Sequence, residues 1–443
     1  MRQYYEYMKL LLSPRRGGLL ALLLILTQIV KAQFLTDMMD TTTDVGKGLL
    51  SIYKKFDRIQ ISGYLQPQFQ LADRKGVESF NGGNFAPQSN NRFSLRRGRL
   101  RFDYLRLNDQ DQPQVHLVFQ VDGTERGLFV RDFWGRFFEN KWQLFSVTGG
   151  LFARPFGYEV NLGSPDRESP ERGRMSQILM RTERDLGAMV SFEPRRKNHP
   201  LHYFKLDIGV FNGQGLSGPS EYDSYKDVIG RLSLKPYPIT SKLSVAAGLS
   251  MLQGGLIQNT KYVYETRNTN GNKTFVVDSS ADNLYDKAPR DYRGVDMQWK
   301  LKHAWGATEL RGEYWWGTQT ATANDTETPG LLLTSPYYIR KFNGAFFYFL
   351  QNIINKKHQL GVKYDWYDPN TEVKGKEIGE GGNNVTAANI RYDTWSFGYN
   401  YYIDEHLKLM LWYDIVNNES TSLPAYASNL SSNVLTCRLQ FRF

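Results

Sequence analysis

Between positions 58 and 71 apolar and polar residues alternate without a break. Ile59, Ile61, Gly63, Leu65, Pro67, Phe69 and Leu71 hold one phase; Arg58, Gln60, Ser62, Tyr64, Gln66, Gln68 and Gln70 hold the other. Successive side chains on a strand point to opposite faces, so this pattern describes a strand with one greasy and one wet face. It recurs at 115–122, 205–212, 227–234, 242–251, 295–302, 360–367 and 407–415. It also ends the chain at 433–443, where Leu435, Cys437, Leu439, Phe441 and Phe443 alternate with Val434, Thr436, Arg438, Gln440 and Arg442. Less regular alternation covers 97–104, 128–138, 142–152, 186–192, 308–316, 341–350 and 392–403, which brings the expected strands to 16.

The connections sort into two kinds. Those after even strands are short turns such as Glu139-Asn140-Lys141 or Asp404-Glu405, while those after odd strands are mostly long, including 153–185, 252–292 and 317–340. An even number of alternating strands with short turns at one end and long loops at the other is the pattern of an all-β, antiparallel transmembrane barrel, its turns periplasmic and its loops extracellular. Sixteen strands are enough to enclose an aqueous lumen. A soluble multi-sheet protein with this sequence would instead expose rows of Phe, Tyr, Trp and Leu to water.

Composition agrees. Tyr 27, Phe 26, Trp 9 and Gly 39 coexist with a mean hydropathy of −0.50. A membrane-spanning helix needs about 20 apolar residues, and the longest unbroken run here is Leu19 to Leu26. That run follows Arg15 and Arg16 and leads to Val30-Lys31-Ala32, with small residues where signal peptidase requires them, so residues 1–32 read as a signal peptide rather than an uncleaved anchor. Met8 is an alternative start. Residues 33–57 read as a periplasmic segment, possible as a short helix, and 58–443 as the barrel.

The precursor's charge of +10 falls to +6 once the five basic residues and one acidic residue of 1–32 are removed. Basic charge this modest, scattered among carboxylates, makes no nucleic-acid stripe. The lone Cys437 excludes an internal disulfide and makes no lipoprotein anchor. His116, His199, His202, His303, His358 and His406 sit in no hydrolase motif and no metal-site spacing, so neither enzyme nor cofactor is expected.

The chemistry concentrates in 93–104. On a strand, Arg97, Arg99, Arg101 and Asp103 point one way and Gly98, Leu100, Phe102 and Tyr104 the other. The second set suits lipid, so the arginines face the lumen. A guanidinium is always charged and offers a planar fork to phosphate or carboxylate, and rings of such groups make pores favour anions. Arg97, Arg99, Arg101, Asp132 and Arg136 are thus candidates for an anion pathway. Alternatively the arginines pair with Asp122 and Asp132 and stiffen the wall. The loop 153–185 carries Arg154, Arg167, Arg172, Arg174, Arg181 and Arg184 among acidic residues; it either folds inward to narrow the bore or stands as a solvated loop.

The arginine-rich second strand, Gly150-Leu151-Phe152-Ala153-Arg154-Pro155-Phe156-Gly157, Arg184-Asp185-Leu186-Gly187, Gly209-Val210-Phe211-Asn212-Gly213, Gly230-Arg231-Leu232, Tyr364-Asp365-Trp366-Tyr367-Asp368-Pro369 and the final Arg438 to Phe443 carry a resemblance. In this order the chain resembles the phosphate-selective porin O and P family over essentially the whole barrel. The resemblance implies a homotrimeric, 16-stranded outer-membrane porin whose constriction concentrates arginine, with lysines along the path in the phosphate-specific members. Arg96 and Arg97 match the family's paired arginines at the start of the second strand; no comparable row of lysines is visible. The expected function is passive diffusion of small hydrophilic solutes with anion, phosphate included, preference. An adhesin or assembly scaffold is the alternative, and a barrel enzyme a weaker one, since no Ser/His or Asp/His constellation is present. Outer-membrane lipid, small anionic solutes and the barrel assembly machinery, which reads the strand ending at Phe443, are the expected partners. If 1–32 is a signal peptide, N-terminal sequencing of the membrane-extracted protein finds Gln33 first; a retained Leu19 to Leu26 core contradicts it.

Overall fold

The computed structural model describes residues 58–217 and 221–443; the expected signal peptide and the segment 33–57 lie outside them. One antiparallel wall runs through β1 (Ile59–Ala72), β2 (Asn91–Leu107), β3 (Pro113–Thr124), β4 (Gly127–Phe138), β5 (Phe145–Ala153), β6 (Arg184–Phe192), β7 (Phe204–Phe211), β8 (Asp227–Pro238) and β9 (Leu243–Ile257). It skips a loop hairpin, β10 (Val263–Thr269) and β11 (Asn272–Asp278), and continues through β12 (Lys287–His303), β13 (Gly306–Ala321) and β14 (Tyr337–Ile353). From there β15 (His358–Asp368), β16 (Tyr392–Tyr402), β17 (Leu407–Asn418) and β18 (Val434–Arg442) bring it back to β1. Apart from the hairpin, these strands are a closed barrel of sixteen.

Closure is made by the last residues of the chain. Tyr64 pairs with Arg442 and Phe69 with Cys437 across β1 and β18, and Gly63 and Phe443 exchange backbone hydrogen bonds of 3.1 and 3.0 Å. Without that pairing the wall would present two open edges, which hydrocarbon cannot satisfy. The alternation then decides the faces. Leu117, Phe133, Val190, Ile208, Leu249, Met297 and Phe347 stand exposed on the outside, whereas Gln66, Gln120, Thr148, Asp207, Asp296 and Arg438 are buried within.

All sixteen expected strands are present, with differences at their ends. β2, β9, β12 and β13 run farther toward the long loops than the alternation does, because above the apolar belt both faces are wet and the hydrophobic pattern stops marking the strand. The fifth strand begins at Phe145 rather than Trp142, after a turn in which Gln143 has a φ of 61°. The β6–β7 connection, 193–203, is longer than the short turn expected there. The hairpin β10–β11 and a short helix α1 (Arg174–Leu179) were not expected. At the loop end, residues of the β15–β16 and β17–β18 connections and of the hairpin gather around Phe275, Val373, Ile378, Val385 and Ile390, with Tyr264, Tyr338, Leu423 and Tyr426 packed against them, so the collar there has its own apolar core.

Turns and long loops occupy opposite ends, which predicts sidedness. After Cys437 is replaced, cysteines at Ser279 and Asn384, both exposed in loops, should react with an impermeant maleimide on intact cells, while those at Asn355 and Asp404 in turns should not. The opposite pattern would invert the topology.

Candidate functional site, an arginine-lined passage beside an inward loop

The connection 154–183 folds into the barrel, and the sequence explains how it is held. Phe156, Val160, Met175, Ile178, Leu179 and Met180 are buried against inward-facing Tyr292, Trp315, Phe342 and Tyr367. Each such side chain is worth roughly 1.5–3 kcal/mol when fully buried. Gly157 has a φ of +70°, and a Cβ there would collide with the Glu313 carboxylate and the Trp315 ring. A glycine is required for this close approach.

Polar groups of the wall complete the attachment. Glu313 on β13 accepts the backbone N–H groups of Tyr158 and Glu159 at 2.8 and 2.9 Å. Asp365 on β15 accepts that of Arg174 at 3.2 Å, and Tyr64 on β1 meets Ser164 at 2.8 Å. Lys408 on β17 donates to the carbonyls of Pro165 and Arg167 at 3.0 and 2.9 Å. Glu168 pairs with Arg311 on β13 at 2.7 Å. The loop is thus tied to four strands, and it lies across the lumen.

At its tip Glu171 accepts Arg96 and Arg97 from β2, each at 2.8 Å, and Arg438 from β18 at 2.7 Å. Burial disfavours the Glu171 charge, but Arg96, Arg97 and Arg438 outweigh it and hold its carboxyl well below the usual carboxylate range. Glu183 is held down in the same way, its burial offset by Arg131, Arg172 and Arg184. Nearby, Arg99 pairs with Asp122 at 3.0 Å, Arg101 with Asp103 at 2.7 Å and Arg184 with Asp132 at 3.2 Å. Arg167 has no carboxylate within 4.0 Å among the described residues; its Nε donates to the Leu162 carbonyl at 3.3 Å. Burial, with Arg97 and Arg172 close by, pushes its guanidinium down to about 9, which still leaves it charged at neutral pH.

Of the sequence-derived candidates, the structure brings together Arg96, Arg97, Arg99, Arg101, Asp132, Arg167, Arg172 and Arg184. Arg136 lies nearer the turn end, donating to Thr148 at 2.8 Å with its guanidinium 5.3 Å from the Trp134 ring centroid. Arg154 is buried against the Thr182 carbonyl, Arg174 is sandwiched between Tyr392 at 3.7 Å and Phe80 at 4.4 Å, and Arg181 pairs with Glu327 outside the cluster. The alternation singled out neither Arg131 nor Arg438. Arg131 is an extra residue of β4, falling between Val130 opposite Val121 and Asp132 opposite Gln120, so the bulge hides it from a two-residue period. Arg438 lies on the inward phase of the last strand, a signal that was present but overshadowed by that strand's outward aromatics.

Inward lysines also exist, though they form no row along one strand. Lys205 pairs with Asp207 at 2.9 Å, Lys235 with Glu193 at 3.2 Å and Lys300 with Glu309 at 3.5 Å, all toward the turn end. They come from three strands, so no single stretch of sequence displays them. Among the described residues no group of three or more His, Cys, Asp or Glu could hold a metal ion.

Residues 304–443 match the family described as phosphate-selective porin O and P. The Tyr364 to Pro369 and Arg438 to Phe443 motifs lie within the matched span, and the arginine-rich second strand lies outside it. By structure the chain is similar to OprB of Pseudomonas putida, with a TM-score of 0.55, 10% identity, and 90% and 97% of the two chains covered. Further similar structures are the outer membrane channel DcaP of Acinetobacter baumannii, with a TM-score of 0.49, 10% identity, and 87% and 97% covered, and OmpT of Vibrio cholerae in trimer form, with 0.47, 10%, and 87% and 99%. No curated protein matches by sequence. The family match supports a porin of the outer membrane; the likeness to OprB bears on the fold.

Glu171 is the testable element of the loop's attachment. Breaking a buried pair costs roughly 3–5 kcal/mol. Glu171→Gln should therefore give an assembled, heat-modifiable barrel that trypsin cleaves between 167 and 174, where wild type resists. Because the Glu171 pKa is depressed on folding, its contribution is present above the ordinary carboxylate value of about 4.3 and is lost as pH falls through the lower folded value. Loop-dependent current noise should accordingly stay flat from neutral pH to about 4.3 and rise only below it. Equal trypsin resistance of the variant would remove Glu171 from this role.

Proposed function

We propose that this barrel is a passive outer-membrane channel for small hydrophilic solutes that favours anions, phosphate included, at the level of the inward loop. The observation that carries the reading is where solvent access survives beside the loop. Arg96, Arg101, Arg131, Arg184 and Asp122 keep 30%, 35%, 19%, 16% and 15% of their side-chain exposure, whereas Arg311, Lys363 and Asp365 across the bore are at 6% or less. The free passage runs along the arginine-bearing wall, with the opposite side filled by loop and large side chains.

Around that passage stand nine arginines (96, 97, 99, 101, 131, 167, 172, 184 and 438) and five carboxylates (Asp103, Asp122, Asp132, Glu171 and Glu183). The excess is positive. A unit charge attracts an anion 4 Å away by about 4 kcal/mol at an effective dielectric constant of 20, before desolvation and the neighbouring carboxylates reduce it. Arg97 and Arg99, nearly closed to solvent, act here as wall and field rather than as contact groups. Arg136 and the paired lysines extend a mixed but cation-rich surface toward the turn end. Transport by this route needs no reaction and no cofactor.

By resemblance we take the assembly to be a homotrimer delivered through the barrel assembly machinery by the strand ending at Phe443. The adhesin reading draws on the collar of packed loops around Phe275 and Ile378; conductance separates the two.

Replacing Arg96, Arg101 and Arg131 together by Gln tests the channel reading, because these keep solvent access. In planar bilayers the wild type should show an anion-favouring reversal potential at low salt, shrinking at high salt because screening acts over about 10 Å at 0.1 M. The assembled triple variant should move toward cations. Absence of conductance, or a wild-type reversal potential in the variant, would refute this reading.

A further inference from the structure

The outer wall over β7–β9 and β12–β14 carries two adjoining hollows of different character. The first, of about 730 Å³, is an apolar groove in the middle of the wall. Its floor is low because Ala247 and Gly312 stand among outward-facing bulky neighbours such as Leu249, Met297 and Phe347. The second, of about 360 Å³, lies toward the loop end and is lined by Trp316, Thr318, Lys341, Asn343 and Thr371. Both are lined by Tyr314, whose ring lies 5.4 Å from that of Trp316, so one leads into the other.

The polar hollow is rich in donors. Trp366 Nε1 donates to Asn343 Oδ1 at 3.0 Å, which leaves the Asn343 amide N–H groups available. Lys341 pairs with Glu372 at 3.0 Å yet keeps 66% of its side-chain exposure. Arg293, opposite Trp316 in the β12–β13 ladder, has no carboxylate within 4.0 Å among the described residues; its Nη1 donates to the Tyr292 carbonyl at 3.2 Å. Lys341, the Thr318 hydroxyl and the Asn343 amide above an aromatic ledge, with Arg293 on the neighbouring strand and the Thr371 hydroxyl donating to the Lys341 carbonyl at 3.3 Å, suit a phosphate ester at the membrane–water boundary.

The length fits one leaflet. From Leu310 in the groove to Thr318 in the cleft is eight strand steps of about 3.4 Å, which at a tilt of about 40° is roughly 20 Å along the membrane normal. Half a bilayer with its headgroups is about 20–22 Å. We propose that groove and cleft together form a binding site for one lipid of the loop-side leaflet, its chain in the groove over Ala247 and Gly312 and its phosphate-bearing headgroup against Arg293, Lys341 and Thr371. The inference rests on the outer-membrane reading with long loops outside, and not on the anion passage, because every residue it uses faces away from the lumen or lies in a loop.

The test is a titration of the delipidated, assembled protein with dimyristoyl phosphatidic acid, followed by native mass spectrometry, with dimyristoylglycerol as the same chains without phosphate. The site predicts saturable binding of one phosphatidic acid per chain and much weaker binding of the diacylglycerol. Lys341→Gln and Arg293→Gln should each weaken phosphatidic acid about fivefold, the worth of one basic residue at a membrane surface. Ala247→Trp should block the groove to both lipids. Heat-modifiable migration shows that each variant has assembled. Unchanged conductance in these variants keeps the result separate from the pore reading, whose failure would appear there instead. Equal binding of the two lipids, unaltered binding by Ala247→Trp, or a change of oligomer size in place of a change in lipid binding would overturn the proposal; the last would mean that a second copy covers this face.

Discussion

Hydrocarbon offers a backbone N–H or C=O no partner, and a strand wall in a membrane must therefore end where it began. Here the requirement falls on the pairing of β18 with β1, down to the hydrogen bonds between Gly63 and Phe443. Closing at sixteen strands fixes a bore wide enough for water and assigns each residue of the alternation to one of two solvents. The interior then has polar walls with no natural partner across the gap. The connection 154–183 supplies that partner, and the arrangement of charge inside the barrel follows from how it is tied down.

Buried charge is tolerated there because it is shared. Glu171 alone would be costly to bury, and so would Arg97 or Arg438; joined, each satisfies the others' hydrogen-bonding groups and removing one leaves the rest uncompensated. Glu313 works without a cation at its contact, accepting two backbone N–H groups that the loop's turn at Gly157 exposes. On β1, β13, β15 and β17 the ties run to backbone groups, Ser164 and Glu168, whereas on β2, β4 and β18 they are Arg96, Arg97, Arg131 and Arg438 reaching Glu171 and Glu183. The β2 to β6 wall, held through arginine alone, keeps the more solvent-accessible guanidinium groups and their surplus. Asymmetry of attachment thus becomes asymmetry of charge along the passage.

The strands were legible because the membrane forces a strict two-residue period on them: 58–71 and 433–443 can be read without any other information. What the period could not reveal lies where that constraint is absent. The hairpin β10–β11 stands outside the membrane and buries only isolated residues, Val263, Thr266 and Phe275, against the collar, so Val263 to Asp278 shows no clean alternation. Arg131 sits in a bulge that shifts the count by one. The mixed charge of 154–183 suits a solvated loop as well as an inward one, although Met175, Ile178 and Leu179 stand at helical spacing and mark a face to be buried. The partners of each arginine were out of reach of a strand-by-strand reading, since Glu171 and Arg438 lie far apart in sequence. Arg99 did meet Asp122 as one alternative had it, while Asp132 went to Arg184 from the far end of the loop.

The central claim is that solutes pass along the β2 wall and not across the bore from it. Cysteine accessibility under current tests it directly. With Cys437 replaced by Ser, Arg101→Cys should react with a small anionic methanethiosulfonate added during recording, and conductance should change as it does. Ser396→Cys, on the fully buried inner face of β16, should leave the current untouched by the same reagent. A current insensitive at position 101 and blocked at 396 would place the passage on the wrong side of the loop and contradict the account.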